Sequence, residues 1–342
     1  MQTIIIGIAG TAKNTGKTTT TSFIMAEVKK NEKLNLGLTS IGYDGEDIDN
    51  VTGLPKPKIE VWPGVLVAVA EKCLKVSTAE VEVLEVTKFA TPLGKIILGK
   101  VTKGGRLVVA GPNKSSELRQ VLNKLRQHNL NLIIVDGALN RIAPMVEVEG
   151  LILTTGAARK SKISDLAFET HCMVEVFSYP VLDIEHNTVS LNSILSSDEV
   201  DELLSQLEKV STVYIKGVIG EKSLMYLVEK AEKLSGKKLI FPDPIKLMVI
   251  GDINKIHNVF AQLKQKGIEI GVRKHIKIIA LTINPYYPKY RFNSDDYEAS
   301  YVNKEKLYQE IASKVSVNVY NVVEEGGAGL FQDIISATDN SL

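Results

Sequence analysis

Cysteine and aromatic residues are scarce in this chain. Only two cysteines, Cys73 and Cys172, occur among 342 residues, and neither has a second cysteine nearby that would form a metal or disulfide motif. Two isolated thiols predict reduced, buried side chains of the kind found in cytoplasmic proteins. Aromatic residues make up 6% of the chain, which gives little support for the base-stacking surfaces of single-stranded nucleic-acid binders.

A large net charge and a long apolar run are missing as well. The formal charge is +1, so no overall field attracts nucleic acid or an acidic membrane surface. No apolar run approaches the ~20 residues of a membrane helix, and the N-terminal MQTIIIGIAG lacks the basic lead and cleavage site of a signal peptide. The five histidines are scattered, which argues against structural zinc. We expect a cytoplasmic protein without a nucleic-acid or membrane partner.

The stretch GTAKNTGKTTTT, Gly10 to Thr21, is the most informative part of the sequence. It follows an apolar run typical of a buried parallel strand, Thr3 to Ile8, and leads into a helical pattern, Thr18 to Lys30. A nucleotide phosphate-binding loop (P-loop) has the pattern G-x-x-x-x-G-K-[ST] in this context, but position 11, where its first glycine belongs, is threonine. The later part, Gly16-Lys17-Thr18, is intact and still predicts a phosphate site.

The predicted roles follow from the geometry of such a loop. Gly16 lets the backbone approach a phosphate, Lys17 reaches the β- and γ-phosphates, and the Thr18 hydroxyl binds Mg²⁺. The predicted nucleotide-binding residues of the loop and first helical turn are Lys13, Asn14, Thr15, Gly16, Lys17, Thr18 and Thr19. The alternative is a glycine-rich turn that binds nothing, which the order of strand, glycine, lysine, threonine and helix disfavours.

A second buried-strand pattern supplies an acidic residue. Leu130 to Val135 is an apolar run followed by Asp136, a carboxylate in the position that holds Mg²⁺ in P-loop proteins. An Asp-Gly turn without any ligand is the alternative reading of this pair. We predict Lys17 and Asp136 as catalytic residues, and Thr18 and Asp136 as metal ligands.

Two other strand ends add weaker candidates. Thr155 and Gly156 end a third predicted strand and are predicted to border the nucleotide, although a plain loop is equally consistent with them. Asp44 and Glu46 follow another strand and would contact Mg²⁺, ribose or substrate, unless they form a solvated acidic turn. The guanine-specific N-K-x-D signature is absent, so ATP is favoured over GTP as the cofactor, together with Mg²⁺.

These patterns predict an α/β fold, with a P-loop NTPase-like, mostly parallel sheet, a β-rich insertion and a second α/β domain. The nucleotide-binding domain is assigned to residues 1–165, with the insertion at 59–111, where apolar runs alternate with short turns. Alternating strand and helix patterns assign residues 166–342 to the second domain. Within it, the stretch from Asn284 to Arg291 is predicted to be a Pro- and Tyr-rich loop that grips a ligand or a partner, or packs on itself.

Six segments occur together in an order that resembles one family: GTAKNTGKTT, TPLGKIILGKV, VAGP, VDGALNR, ILTTGAA and ALTINPYYP. The chain is similar to the P-loop subunits of reactivating factors for lysine 5,6-aminomutase, an adenosylcobalamin enzyme of lysine fermentation. The G-T-A-K-N-x-G-K-T spacing is characteristic of that group, which accounts for the displaced glycine. The likeness covers roughly residues 1–325. Asn140 departs from it, because the group has an acid there, and this puts hydrolysis in doubt.

The resemblance implies a helper protein, or chaperone, that couples nucleotide binding or hydrolysis to the release of damaged cobalamin. It implies an adenosylcobalamin-dependent aminomutase as partner, and it leaves room for a second reactivase subunit and for a homodimer. We expect slow magnesium-dependent NTPase activity stimulated by the partner. The alternative is an ATP-dependent ligase or kinase of the dethiobiotin-synthetase type, in which Lys13 and Thr155 would serve a small acidic substrate.

Overall fold

The computed structural model describes residues 3–31, 33–42, 58–138, 142–291 and 296–339. The chain forms two units, one built from Met1–Leu166 and Ile278–Leu342 and the other from Ala167–Lys277. The residues from 278 onward therefore belong to the first unit, whereas the sequence analysis assigned them to the second domain. The physical reason is that two strands of this C-terminal segment lie in the main sheet of the first unit.

Seventeen strands and eleven α-helices lie within the described residues. The strands are β1 (Ile4–Gly10), β2 (Leu36–Ser40), β3 (Lys58–Val61), β4 (Leu66–Ala70), β5 (Glu80–Thr91), β6 (Gly94–Lys103), β7 (Gly105–Val108), β8 (Leu132–Ala138), β9 (Gly150–Gly156), β10 (Thr188–Leu191), β11 (Thr212–Ile215), β12 (Lys238–Phe241), β13 (Glu269–Val272), β14 (Lys277–Asn284), β15 (Tyr286–Arg291), β16 (Asp296–Tyr301) and β17 (Asn318–Tyr320). The helices are α1 (Lys17–Lys30), α2 (Glu71–Val76), α3 (Ser115–Arg126), α4 (Ile163–Phe177), α5 (Ser197–Ser205), α6 (Glu221–Glu229), α7 (Pro244–Met248), α8 (Ile253–Gln265), α9 (Lys304–Ala312), α10 (Val322–Glu325) and α11 (Ala328–Asp339). None of these helices is both long enough and apolar enough to cross a membrane.

A nine-stranded sheet forms the centre of the first unit, in the order β17-β14-β9-β1-β8-β2-β4-β6-β5. The strand β1 pairs in parallel with both β8 and β9, and β2 pairs in parallel with β8 and β4. The pair β14–β17 is also parallel, while β6 runs antiparallel to β4 and to β5 at one edge. The α/β class with a large, mostly parallel sheet, predicted from the sequence, is confirmed.

The strands around β1 form because their residues are apolar on both faces. Every residue of β1, β2 and β9 is buried, as expected for central strands of a parallel sheet covered by helices. On α3, one face is buried and consists of Leu118, Val121, Leu122 and Leu125. Three- and four-residue spacing of these side chains explains both the helix and its packing side.

The region 59–111 differs from the predicted insertion. Three of its strands, β4, β6 and β5, extend the main sheet, and only β3 and β7 form a separate antiparallel pair. The segment VLVAVAEKCLKV, one of the apolar runs of this region, contains β4 and then the short helix α2. A six-residue helix with one buried side chain, Cys73, has too little periodicity to be separated from a strand by pattern alone.

The Tyr-rich stretch is a β-hairpin and not the predicted loop. The strands β15 and β16 pair antiparallel, and tyrosine rings face each other across them in two pairs, Tyr286–Tyr301 and Tyr290–Tyr297, with ring centroids 5.7 and 5.2 Å apart. Such cross-strand aromatic pairs stabilise a two-stranded ribbon. Pro288 is accommodated because both strands of a two-stranded sheet are edges.

The second unit contains its own parallel sheet, in the order β10-β11-β12-β13. The helices α5, α6 and α8 connect its strands. Each of these helices buries an apolar face. This sheet and its helices lie within residues 166–342, the range that the sequence analysis assigned to a second α/β domain.

Candidate functional site

The carboxyl ends of β1, β8 and β9 lie side by side at one edge of the main sheet. The β1–α1 loop (Thr11–Gly16) crosses this edge, because β1 ends at Gly10 and α1 begins at Lys17. Asp136, near the end of β8, is level with Ile8 of β1. The edge thus brings the loop, the first turn of α1 and Asp136 together, as the motif spacing predicts.

The backbone of the loop is turned sharply at two residues. Gly16 has φ 91° and ψ 12°, and Asn14 has φ 62°, so both adopt the left-handed conformation. Glycine adopts this conformation without strain, and asparagine tolerates it better than other residues do. The requirement for a glycine immediately before Lys17 is therefore conformational.

Among the described residues, no side chain caps the N-terminus of α1. Its first hydrogen bond back to the loop runs from the N–H of Thr20 to the carbonyl of Gly16, at 2.8 Å. The N–H groups of Lys17, Thr18 and Thr19 come before Thr20 in the chain. The helix contains no carbonyl one turn earlier that could accept a hydrogen bond from them. These N–H groups and the helix dipole favour an anion at this end of the helix.

Lys17 and Asp136 form an ion pair beneath the loop. The Nζ of Lys17 lies 2.8 Å from Oδ2 of Asp136, and the hydroxyl of Thr21 donates to the other carboxylate oxygen at 3.4 Å. The carboxylate side chain is only 4% exposed, while that of Lys17 is 19% exposed. An anion arriving at the open side of the loop can draw the Lys17 ammonium away, which leaves the Asp136 carboxylate for a cation.

Two threonines of β9, Thr154 and Thr155, form hydrogen bonds with the loop. The N–H of Thr11 donates to the carbonyl of Thr154 at 2.9 Å, and the Thr11 hydroxyl donates to that of Thr155 at 3.1 Å. The hydroxyls of Thr15 and Thr154 are 3.2 Å apart, and Thr15 donates to the carbonyl of Ala12. Thr155 is therefore a buried support of the loop.

Gly156 provides space for the end of β14. A Cβ on Gly156 would lie 2.2 Å from the carbonyl oxygen of Asn284. The side chain of Asn284 in turn donates from Nδ2 to the carbonyl of Asn14 at 2.8 Å. The alternative prediction, that Gly156 belongs to a plain loop, does not account for this close approach of Asn284 to Gly156.

The remaining predicted residues are placed as follows. Lys13 and Asn14 are exposed on the loop, Thr15 is buried in it, and Thr18 and Thr19 are partly exposed on the first turn of α1. Asp44, Glu46 and Asn140 lie outside the described residues. Residues 13–19 thus form one continuous stretch that includes Lys17, the partner of Asp136. They remain predicted nucleotide-binding residues.

Sequence reasoning missed several residues that shape the site. Thr11 stands where the common pattern has glycine, and its hydroxyl and amide both bind β9. Arg159 follows β9 and donates from Nη1 to the carbonyl of Thr11 at 3.1 Å, which places a cation beside the loop. A basic residue just after a strand that ends at the same edge was the available signal for Arg159.

The described residues contain no group of three or more His, Cys, Asp or Glu side chains that could hold a metal ion. A magnesium ion at this edge would take Thr18 and Asp136 as ligands and the rest from phosphate and water, the ligand set that Mg²⁺ prefers. Both cysteines are buried, and burial raises the pKa of each thiol to about 11, so neither offers a thiolate.

No protein-family model matches this chain, and no curated protein sequence is significantly similar to it. The functional conclusion therefore depends on the motifs and on the geometry of this sheet edge. Together these provide outward amides, a lysine, a threonine hydroxyl and a buried carboxylate within one site.

Proposed function

We propose that the β1–α1 loop binds the triphosphate of a nucleotide with Mg²⁺, and that the protein is a P-loop NTPase. The observation that carries the proposal is the ion pair between Lys17 and Asp136, 2.8 Å apart beneath a loop that ends in left-handed Gly16. This pair joins the first residue of α1 to a strand adjacent to β1, so the two parts of the motif meet in space although 119 residues separate them.

The proposed chemistry needs few groups. The amides of the loop and of the first turn of α1 surround the phosphates, and Lys17 leaves Asp136 to contact the β- and γ-phosphates. Thr18 and Asp136 would hold Mg²⁺, which would supply positive charge to the phosphates, and Asp136 would orient the attacking water. Positioning and electrostatic stabilisation account for most of phosphoryl-transfer catalysis, so slow turnover does not require a separate general base.

We propose further that nucleotide binding or hydrolysis drives reactivation of an adenosylcobalamin-dependent aminomutase, with ATP favoured over GTP. This step is supported by the six motifs of the resemblance, in their order along the chain. One contact offers a route for the coupling: the N–H of Ile41, just after β2, donates to the carbonyl of Asp136 at 2.8 Å. A shift of Asp136 on metal binding would therefore reach Ile41, next to the end of β2.

The test measures Mg-ATP and Mg-GTP turnover by the purified full-length protein, alone and with an adenosylcobalamin aminomutase from the same source. Lys17→Ala should abolish turnover, whereas Lys30→Ala, at the exposed end of the same helix, should not change it. Slow turnover that rises with the mutase supports the reactivase function. Turnover that does not change when the mutase is added supports the ligase or kinase function instead. A screen of carboxylate substrates would then follow. Wild-type turnover by Lys17→Ala would refute the nucleotide site.

A further inference from the structure

We propose that a cavity beside α1 binds a small aromatic carboxylate, held between the ring of Trp62 and the side chains of Lys29 and Arg106. The cavity has a volume of about 390 Å³, which is in the range of small-molecule sites. None of its residues belongs to the proposed phosphate site, so the inference does not depend on the proposed function. The cavity is lined by Ser22, Met25, Ala26, Lys29, Glu60, Trp62 and Arg106.

The antiparallel strands β3 and β7 form one wall of the cavity. Ile59 is paired with Leu107, and Glu60 is paired with Arg106. Directly paired side chains share a face of a two-stranded ribbon, and successive residues of a strand alternate between the faces. Ile59 and Leu107 are 1% and 0% exposed, so their face covers the core. Glu60 and Arg106 therefore project from the opposite face, where they line the cavity.

This wall ends in Trp62, the single tryptophan of the chain. A turn fixes its backbone, because the N–H of Val65 donates to the Trp62 carbonyl at 3.3 Å. Pro63 and Gly64 lie between these two residues, and Gly64 has a positive φ. Proline followed by a residue with positive φ is typical of a type II turn. The backbone that carries the half-buried indole is thus in place before any ligand arrives.

The helix α1 forms the other wall. Ser22, Met25, Ala26 and Lys29 are three or four residues apart, so they share one face of the helix. The Met25 side chain is almost completely buried, and its thioether offers a soft apolar surface. Together with the indole, this thioether gives the cavity an apolar interior.

The distance between Lys29 and the indole suits a flat ligand. The Lys29 Nζ lies over the Trp62 ring, 6.0 Å from its centroid. A flat group needs about 3.5 Å to the neighbour on each side, so it fits between them after the ammonium moves by ~1 Å. The Lys29 side chain is 55% exposed and is free to make this movement. An aromatic ring suits both neighbours, because one face stacks on the indole and the other attracts the ammonium.

The charges around the cavity favour a ligand with one negative charge. The Lys29 Nζ lies 3.8 Å from the Glu60 carboxylate, so these two charges offset each other. The guanidinium of the exposed Arg106 has no hydrogen bond or ion pair within the part of the chain that the structure describes. A guanidinium binds a carboxylate through two parallel hydrogen bonds. The nearby Glu60 disfavours a doubly charged phosphate, so the ligand class is an aromatic monocarboxylate.

The experiment titrates the full-length protein with phenylacetate and follows tryptophan fluorescence, which reports on this cavity because Trp62 is the only tryptophan. Calorimetry measures the same binding independently. Phenylacetamide has the ring without the charge, and cyclohexylacetate has the charge without the flat ring. The Kd of phenylacetate should be about tenfold or more below that of phenylacetamide, the effect of a hydrogen bond to a charged group. It should be about threefold or more below that of cyclohexylacetate.

Two variants test the assigned residues. Arg106→Gln should remove the preference for phenylacetate over phenylacetamide. Ala26→Leu should weaken the binding of all three ligands, because the larger side chain fills the cavity without changing its charge. Lys103→Gln is the matched control and should bind like the wild type, because Lys103 is an exposed cation on β6 that pairs with Glu80 and does not line the cavity.

Three results would overturn the inference. The first is that neither fluorescence nor calorimetry detects phenylacetate binding, or that phenylacetate and phenylacetamide bind equally well. The second is equal affinity for phenylacetate and cyclohexylacetate, which would exclude a site for a flat ring. The third is an unchanged preference for phenylacetate in Arg106→Gln, which would exclude Arg106 as the carboxylate ligand. None of these results would affect the proposed phosphate site.

Discussion

At the scale of single residues, the site is defined by a lysine that has two competing partners. Lys17 is bonded to the buried carboxylate of Asp136, and the same ammonium is the proposed ligand of the β- and γ-phosphates. A buried carboxylate needs a cation, so release of Lys17 is favourable only if Mg²⁺ or another cation replaces it. Phosphate and Mg²⁺ should therefore bind cooperatively, each raising the affinity of the site for the other.

The first prediction concerns Asp136→Asn. The amide leaves Lys17 free of its counter-ion and removes the charged magnesium ligand, so nucleotide should bind with little dependence on Mg²⁺. Turnover should fall on the order of 100-fold, the loss typical when one electrostatic group is removed from a catalytic site. Calorimetry with and without Mg²⁺ and a phosphate-release assay measure the two effects. Asp165→Asn, an exposed carboxylate at the start of α4, is the control. Full Mg²⁺ dependence in Asp136→Asn would show that Asp136 is not a metal ligand.

The second prediction concerns the left-handed backbone at Gly16. Gly16→Ala should destabilise the protein by ~1–2 kcal/mol, the cost of placing a Cβ in this conformation. Gly64→Ala is a matched control, since Gly64 also has a positive φ, 99°, and an added Cβ there meets no atom of the described part of the chain within 4 Å. Urea unfolding should show similar losses for both variants, but only Gly16→Ala should weaken tripolyphosphate binding. Equal tripolyphosphate binding by Gly16→Ala and Gly64→Ala would show that the backbone conformation at Gly16 does not control phosphate binding.

At the scale of elements, local patterns predicted the parts of the site that are close in sequence. The strand β1 and the helix α1 each follow from residues within one short window, and the structure confirms them. The pairing of β14 beside β9 joins segments more than 100 residues apart, and nothing within either segment encodes its neighbour. The bond from Asn284 to the loop was unpredictable for the same reason.

The third prediction concerns α7, whose N-terminus is capped by Asp243. The carboxylate accepts from the N–H of Lys246 at 3.0 Å, and burial raises its pKa above the ordinary value of 3.8. Between the unfolded and folded pKa values the native state binds more protons, so Asp243 lowers stability as pH rises through that window. An asparagine side chain at this position would keep the cap without the charge. Asp243→Asn should therefore increase the free energy of unfolding at pH 7, and the increase should shrink as pH falls.

Urea unfolding at several pH values checks this prediction. Asp252→Asn is the matched control, because Asp252 caps α8 by accepting from the N–H of Asn254 at 2.9 Å, yet is exposed. At pH 7 it should gain less free energy of unfolding than Asp243→Asn, because its carboxylate is not buried. A constant difference between Asp243→Asn and wild type at all pH values would mean that burial of the charge does not control stability here.

At the scale of the whole molecule, the first unit is discontinuous in sequence. Its sheet is completed only when β14 and β17 return after the 111 residues of the second unit, Ala167–Lys277. The hydroxyls of Thr20 on α1 and Thr282 on β14 are 2.8 Å apart, and α1 also packs on α11. The phosphate loop and the helix that follows it thus depend on both ends of the chain, which a boundary at residue 165 would separate.

The fourth prediction tests this dependence by dividing the chain. A fragment of residues 1–165 should fail to unfold cooperatively, because it exposes β9 as a sheet edge although all seven β9 residues are buried in the full chain. A variant in which residues 167–276 are replaced by a flexible Gly/Ser linker keeps β14 and β17. It should retain a cooperative thermal transition and bind tripolyphosphate, because every residue of the proposed site is present. Circular dichroism and calorimetry provide the comparison with the full-length protein. Cooperative unfolding and tripolyphosphate binding by residues 1–165 alone would show that β14 and β17 are dispensable for the fold and for the phosphate site.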